Sequence, residues 1–548
     1  MKKLVSILLA LAMILSLSIT AFATENTKLT INDDGNREYA GYRLLNLTTS
    51  LKTGEHHTNH DGDHNDDCYN FAYTVNEKYR AVFQAEVLAN GGNYLWGEGG
   101  KPTTANGITD EQILLYLSKQ ESDNGDVYQT MRQVADRLYR AIKAAGIAED
   151  KTGLTGSDDN IEQGYWMIAD VTDLVGNEAN SLVMVDTKGQ DALTVTPKIS
   201  LPSVEKKVKD IDDSEDDKIA DNNWYDSADH DIGDTVPFKL TATLPSNFRA
   251  FIVRDAEGNS THAYKLIFHD SLSAGLTLDA NSVKVYMYET KHKADVDTDV
   301  NDYAADVTNY FTLKTNGLTD DCGFEVSCTD VIEIPNVTKD SAFVVYYEAT
   351  LNEDAAIGAA GNPNEVYLEF TNDPYSDSTG ETKSDKVTVF TYQVTVNKTD
   401  AHGHALEGAG FTLYKKNLAG DYIAIGSELK GETMTTFIWT GLDDGDYKLE
   451  ESTVPEGFNK MSDIVFSISA VHSETDDNPA LISLDGGLMG TGVVNTGVIT
   501  KEVINQSGTV LPETGAKGTV MLIGTSTLLV MMAAVFMITR KKMSIYED

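Results

Sequence analysis

The sequence predicts a mainly β protein, with β-sandwich domains in tandem, an α+β domain ahead of them, an N-terminal signal peptide and a C-terminal transmembrane helix. Three observations lead there. Period-two alternation broken by Gly, Asn, Asp and Ser clusters recurs through residues 201–508. Helical periodicity appears within residues 24–200. At 548 residues the chain exceeds what one hydrophobic core can organise, so several compact units in series are expected.

The two ends read as address labels. Lys2 and Lys3 precede an apolar run from Leu4 to Ile19 and a small-residue site at Ala21-Phe22-Ala23, the pattern of a signal peptide over residues 1–23, with the mature chain starting at Thr24. At the other end, Thr519 to Thr539 is uncharged, apolar and long enough to span a bilayer, and Arg540, Lys541 and Lys542 follow it directly. Leu511-Pro512-Glu513-Thr514-Gly515 stands just upstream and resembles the LPxTG sorting signal of Gram-positive surface proteins. The resemblance implies that a sortase cuts between Thr514 and Gly515 and joins Thr514 to the cell wall. The helix and its cationic tail would insert in the membrane only transiently, while Pro512 bends the pentapeptide toward the sortase cysteine.

Residues 24–200 mix strands and helices. The aromatic strand Tyr39-Ala40-Gly41-Tyr42-Arg43-Leu44-Leu45 opens the pattern, and Thr109-x-x-Gln112 is a capping box before Ile113-Leu114-Leu115. Met131, Val134, Leu138, Ala141 and Ala145 then recur at helical spacing up to Gly146. The arrangement is similar to the N-terminal domain of fimbrial shaft proteins. Residues 201–392 read as a β-sandwich, from strands such as Val236-Pro237-Phe238-Lys239-Leu240 and Val366-Tyr367-Leu368-Glu369-Phe370. Residues 393–508 form a further strand-rich unit, containing Leu406-x-Gly408-Ala409-x-Phe411-x-Leu413 and Tyr447-x-Leu449-Glu450-Glu451-x-x-x-Pro455-x-Gly457-Phe458. These segments resemble the Cna-B-type immunoglobulin-like module, the second being its E box, with Ser452 and Val454 in place of the commoner Thr and Ala. Residues 509–548 complete the chain as the sorting signal.

A lysine on the inward face of a strand is costly unless paired or neutral. In Val394-x-Val396-x-Lys398 the alternation puts Lys398 beside two core valines; Tyr447-x-Leu449-x-Glu451 and Val503-x-Asn505 turn an acid and an amide inward in the same way. The expectation is an intramolecular isopeptide bond, with Lys398 as nucleophile, the Asn505 carboxamide as acceptor and Glu451 as proton shuttle. The middle unit repeats the pattern. Val204-x-Lys206-x-Val208 places Lys206 inward, Asp234 is in phase with Val236, and Asn364 with Val366. Resemblance to the isopeptide-forming second domain of fimbrial proteins implies Lys206 as donor, Asn364 as acceptor and Asp234 as catalyst, with Lys207 and Asn372 as alternatives.

Val195-Thr196-Pro197-Lys198 at the first junction is similar to the pilin motif of shaft subunits, although Thr196 replaces its Tyr and the usual upstream Trp is missing. The resemblance implies that Lys198 attacks the Thr514 carbonyl of the next copy. The function expected is therefore the shaft subunit of a covalent pilus, anchored to the wall on the cell surface. Its partners would be a pilus-type and a housekeeping sortase, peptidoglycan and other copies of itself. The alternative is a monomeric or ancillary wall-anchored adhesin that binds a host or surface ligand and makes no use of Lys198.

Other classes are disfavoured. With 43 basic and 85 acidic residues, a formal charge of −42, the chain repels polyanions, and no nucleic-acid partner is expected. No nucleophile-elbow, Walker or zinc-protease motif supports an enzyme, and no cofactor is expected. Three cysteines, Cys68, Cys322 and Cys328, make no disulfide framework; Cys322 and Cys328 are near enough in sequence to bridge locally. Residues 55–68 hold His56, His57, His60, His64, four aspartates and Cys68, a composition open to metal binding but without a closed tetrahedral or calcium-hand spacing. A solvated insertion loop is the reading preferred there, with no metal site assigned.

Overall fold

The computed structural model describes residues 26–508, apart from 33–36, 52–68, 97–99, 121–130, 155–158, 175, 177, 189, 191, 198–199, 212–222, 253–261 and 297–303, together with a helical stretch at 529–535. The signal peptide, the His- and Asp-rich segment, Lys198, the 511–515 pentapeptide and most of the 519–539 span lie outside the described residues. Among the described residues, no helix is long and apolar enough to cross a membrane.

The first unit contains strands β1 (Asn26–Ile31), β2 (Tyr39–Leu51), β3 (Tyr69–Val75), β4 (Lys151–Leu154), β5 (Asp159–Glu162), β6 (Gly164–Asp170), β7 (Leu182–Asp186) and β8 (Ala192–Val195). Helices α1 (Arg80–Asn90), α2 (Asp110–Ser118) and α3 (Met131–Ala144) lie between them in sequence. The main sheet runs β3-β2-β6-β7. Tyr42 and Leu44 of β2 meet Phe83 of α1, Tyr116 of α2 and Leu138 of α3 in one core, so the helices cover one face. Trp166 and Ile168 of β6 bury the other face against Leu29 and Ile31 of β1 in the small β5-β1-β8 sheet. Thr109 caps α2 reciprocally with Gln112, satisfying two backbone donors that the helix cannot satisfy itself. Glu86 ties the three helices together, accepting from Tyr116 Oη at 2.7 Å and from Arg137 Nη2 at 2.8 Å.

The second unit is a two-sheet sandwich. Its strands are β9 (Val204–Val208), β10 (Ser227–Asp229), β11 (Thr235–Thr243), β12 (Leu266–Leu272), β13 (Leu276–Tyr288), β14 (Ala304–Asp306), β15 (Thr312–Lys314), β16 (Phe324–Cys328), β17 (Ala342–Leu351), β18 (Asn362–Thr371), β19 (Thr379–Glu381) and β20 (Asp385–Phe390). One sheet runs β14-β13-β17-β11-β9 and the other β10-β20-β18-β12-β16-β15, with β19 beside β18. Alternate residues of both inner faces, such as Phe238, Leu240, Phe268, Val345 and Leu368, interdigitate in one core. The third unit repeats the plan with β21 (Tyr392–Asp400), β22 (Gly410–Lys416), β23 (Tyr422–Ala424), β24 (Leu429–Lys430), β25 (Thr436–Leu442), β26 (Gly445–Thr453), β27 (Ile464–His472), β28 (Leu481–Asp485) and β29 (Val498–Asn505). Here a β25-β21-β29 sheet, in which β21 and β29 are parallel, packs on a β23-β22-β26-β27-β28 sheet.

The units touch through specific polar contacts. Tyr375 packs edge-on to Tyr139 with ring centroids 4.7 Å apart, and its hydroxyl donates to Asp136 at 2.5 Å. Between the second and third units, Asp231 accepts from Lys415 Nζ at 2.6 Å and from the Asp443 backbone at 2.8 Å. The backbones come close at Gly358, whose φ is +79°, and a Cβ there would lie 2.3 Å from the Gly497 nitrogen. Only glycine fits this approach.

Candidate functional site

The edge strand β9 shows the burial that its alternation dictates: Lys206 and Val208 turn into the sandwich while Lys207 turns out to Asp226. Lys206 is fully buried. It lies on one sheet, whereas Asn364 on β18 and Asp270 on β12 belong to the facing sheet. Packing the two sheets brings Lys206 Nζ to 2.6 Å from Asn364 Oδ1, and the ammonium also donates to Asp270. Tyr347 of β17 closes the set. Its hydroxyl accepts from Asn364 Nδ2 at 2.7 Å and donates to Asp270 at 3.1 Å. All four side chains are buried, and the rings of Phe238 and Tyr347 lie 5.7 and 5.6 Å from the amine.

Burial drives the electrostatics. Desolvation brings the Lys206 amine down to about 8, opposed by the charge of Asp270 beside it. The same desolvation raises the Asp270 carboxyl above its usual range, with Lys206 pulling the other way. A neutral amine beside a protonated acid is therefore accessible, and it is the combination that amide exchange needs. In such an exchange the amine nitrogen would attack Asn364 Cγ, an N–C bond forming as the C–N bond to Nδ2 breaks and one amine hydrogen leaving with that nitrogen as ammonia. Asp270 lies where it can lend a proton to the amide and recover one from the attacking nitrogen.

Asp234, expected as the acid of this set, is elsewhere. Strand β11 begins at Thr235, so Asp234 belongs to the turn before it, where its carboxylate accepts from the Asp231 backbone at 3.0 Å. Phase with Val236 says which way a residue would face within a strand, and Asp234 precedes the strand. The geometry gives the acid position to Asp270. The signal for Asp270 was of the same kind: it continues the alternation Leu266-x-Phe268-x-Asp270. Tyr347 had no comparable signal, because an inward tyrosine reads as ordinary core. Asn372, the alternative acceptor, is buried near the first unit and accepts from Ser378 at 2.6 Å, apart from the lysine.

In the third unit, Lys398 on β21, Glu451 on β26 and Asn505 at the end of β29 are all buried. Asn505 Nδ2 donates to Glu451 Oε1 at 2.6 Å, and the other Glu451 oxygen accepts from the Met461 backbone at 2.8 Å. Lys398 Nζ donates to the carbonyls of Thr399 and Val503 at 3.1 and 3.2 Å. The parallel ladder sets Lys398 beside Val503 and Asp400 beside Asn505, so amine and amide come from neighbouring strands two registers apart. Burial lowers the Lys398 pKa, with Glu451 opposing. Asn505 Oδ1 is buried with no hydrogen-bond partner. An orphaned carbonyl of this kind costs about 1–3 kcal/mol.

Residues 392–478 match the family described as the SpaA prealbumin-like fold domain. This segment is thus similar to SpaA-type domains. It carries Lys398 and Glu451, while Asn505 lies beyond the matched residues. The matched residues also include the segment from Tyr447 to Phe458. Over 285 residues the chain is 26% identical to the trypsin-resistant surface T6 protein of Streptococcus pyogenes serotype M6, a match covering 48% of this chain and 45% of that protein. The match thus spans less than half of the relative's length. Among solved structures, the T6 backbone pilin of the same serotype is similar with a TM-score of 0.48 and 17% identity, covering 89% of this chain and 100% of that one. The full-length major pilin SpaD of Corynebacterium diphtheriae gives 0.38 and 16%, covering 67% and 87%. BcpA, the major pilin subunit of Bacillus cereus, gives 0.36 and 15%, covering 66% and 92%.

Proximity in sequence left a local bridge between Cys322 and Cys328 open, and the structure does not form it. Cys322 and Cys328 are both free thiols. Cys328 follows Phe324 and Val326 into the core, whereas Cys322 precedes β16 and meets His269 and Asp320 outside it.

Proposed function

We propose that this chain is the shaft subunit of a sortase-assembled pilus on a Gram-positive cell surface. In this reading it is a structural protein that turns over no substrate. Two intramolecular bonds, Lys206–Asn364 and Lys398–Asn505, stiffen it, formed with the help of Asp270 and Glu451. A pilus-type sortase cleaves Leu511-Pro512-Glu513-Thr514-Gly515 after Thr514 and joins Thr514 to Lys198 of the next copy, and a housekeeping sortase attaches the finished fibre to peptidoglycan. The observation that carries the reading is the Lys206–Asp270–Asn364 set: a buried amine, acid and carboxamide in contact have little reason to be retained together except to react. The SpaA-type domain and the T6 relative, itself called a backbone pilin and a trypsin-resistant surface protein, support it.

Mass spectrometry tests the reading at two levels. The recombinant chain over residues 24–514 should lack one ammonia, about 17 Da, for each bond. Wall extracts of the native organism should contain a branched peptide joining Lys198 to Thr514. Internal losses without that branch would instead make the chain a rigid monomeric adhesin for a host ligand, and an unmodified mass would remove the cross-links from the account.

A further inference from the structure

His269 immediately precedes Asp270 on β12 and so points out of the opposite face of the same sheet, away from the lysine. There it meets three further donors, two carboxylates and a thiol. Asp320 Oδ2 lies 2.8 Å and Glu325 Oε1 4.0 Å from His269 Nδ1, and the Cys322 sulfur lies 3.9 Å from that nitrogen and 2.9 Å from Asp320 Oδ1. One ligand atom from each of the four lies within 4.8 Å of the others. Four donors around a tetrahedral zinc ion, with bonds of 2.0–2.3 Å, stand about 3.4–3.6 Å apart. The three distances from His269 Nδ1, 2.8, 3.9 and 4.0 Å, bracket that spacing, and no pair of the four ligand atoms is more than 4.8 Å apart.

The surroundings orient the donors as a metal shell requires. His269 is 7% exposed and turns its other nitrogen, Nε2, to within 3.5 Å of the Glu369 carboxylate, while Nε2 makes no hydrogen bond. A carboxylate that accepts this ring N–H fixes the ring and its tautomer toward a metal, and Glu369 needs to close only a few tenths of an ångström to do so. Tyr367 stacks on the imidazole with centroids 4.5 Å apart and donates its hydroxyl to Asp320 at 2.6 Å, holding ring and carboxylate together. Asp320 and Cys322 also line an open cleft of about 360 Å³, which offers an entry path. Three carboxylates, Asp320, Glu325 and Glu369, gather here with Lys314, 3.3 Å from Glu325, as a neighbouring cation.

We propose that His269, Asp320, Cys322 and Glu325 bind a divalent transition-metal ion of borderline softness, zinc being the best match to one thiolate, one imidazole and two carboxylates. On binding, the Cys322 proton now directed at Asp320 is released to solvent and the thiolate coordinates the metal. The ion would pin the loop before β16 onto β12, the strand that carries Asp270, and so brace the back of the strand on which the internal bond is made. The metal site itself does not depend on the pilus reading.

The test uses the exported chain over residues 24–514, stripped with a chelator and given one equivalent of Co²⁺. A thiolate-to-cobalt charge-transfer band with intense tetrahedral visible bands is expected. Cys322→Ser should abolish the charge-transfer band, whereas Cys328→Ser and Cys68→Ser should keep it. Glu369→Gln, which touches no metal, should weaken Zn²⁺ binding roughly 10–100-fold in a chelator competition. The internal ammonia losses of each variant report separately on folding of the sandwich. A weak octahedral spectrum with no charge-transfer band, or a band that survives Cys322→Ser and disappears in Cys68→Ser, would overturn the proposal.

Discussion

Lys206 Nζ lies 2.6 Å from the side-chain oxygen of Asn364 across 158 positions of sequence, inside a core that excludes water. The first residue of this set comes from an edge strand of one sheet and the second from an inner strand of the other, so a bond between them would lock the two sheets of the sandwich together.

The acid partner can be distinguished by substitution. Asp270→Ala should abolish the ammonia loss assigned to the middle unit, while Asp234→Ala should leave it unchanged. Peptide mass spectrometry of the Lys206–Asn364 cross-link checks both. Abolition by Asp234→Ala with retention in Asp270→Ala would return the role to the turn residue.

The reaction should have a bell-shaped pH dependence. Its productive state holds one proton on the Lys206–Asp270 pair, on oxygen rather than nitrogen. Burial brings the lysine down to about 8, so above that pH the pair loses this proton and with it the assisting acid. At low pH, below the raised Asp270 pKa, a second proton blocks the amine. The rate of mass loss on refolding uncross-linked chain should therefore fall on the alkaline side near pH 8. A rate that climbs steadily through pH 10 would point to a lysine acting without the acid.

Each bond should contribute stability mainly by restricting the unfolded chain. Loops of 158 and 107 residues, closed by Lys206–Asn364 and Lys398–Asn505, correspond to about 5 kcal/mol apiece by the entropy argument used for disulfides. Asn364→Ala and Asn505→Ala should each lower the melting temperature of their own unit by calorimetry. They also leave a buried lysine amine without the carboxamide, so the measured loss should equal or exceed that figure.

The first unit contains instead a part-buried ion pair. Glu86→Ala removes the shared acceptor of Arg137 and Tyr116, leaving a largely buried guanidinium uncompensated. A loss of about 3–5 kcal/mol is expected in denaturant unfolding, without effect on either ammonia loss. A loss below about 1 kcal/mol would mean that water satisfies Arg137.

Strand phase made much of this readable in advance. The inward turn of Lys206, Lys398 and Glu451 follows from alternation with Val208, Val396 and Leu449, because successive side chains of any strand must face opposite ways. The capping box at Thr109 was legible for a similar reason: its two hydrogen bonds close within four residues. The expectations for both ends of the chain rest on composition and order alone and lie outside the described residues.

What local sequence could not decide was which groups meet. Alternation gives a face but not where a strand starts, and Asp234 fell one residue before β11. It also gives no depth and no partner strand, so Asp270, in equally good phase, is singled out only where the two sheets bring β9 against β12 and β18. Tyr347, and the gathering of His269 with Cys322, depend likewise on residues brought together by ladder register and loop placement. The sequence by itself determined the mainly β class and the inward-facing chemistry, since these are encoded in short runs. Only the tertiary structure decided which acid stands beside Lys206 and the company of Cys322 and Cys328, because contact between distant strands is set by sheet packing and not by the periodicity of either strand.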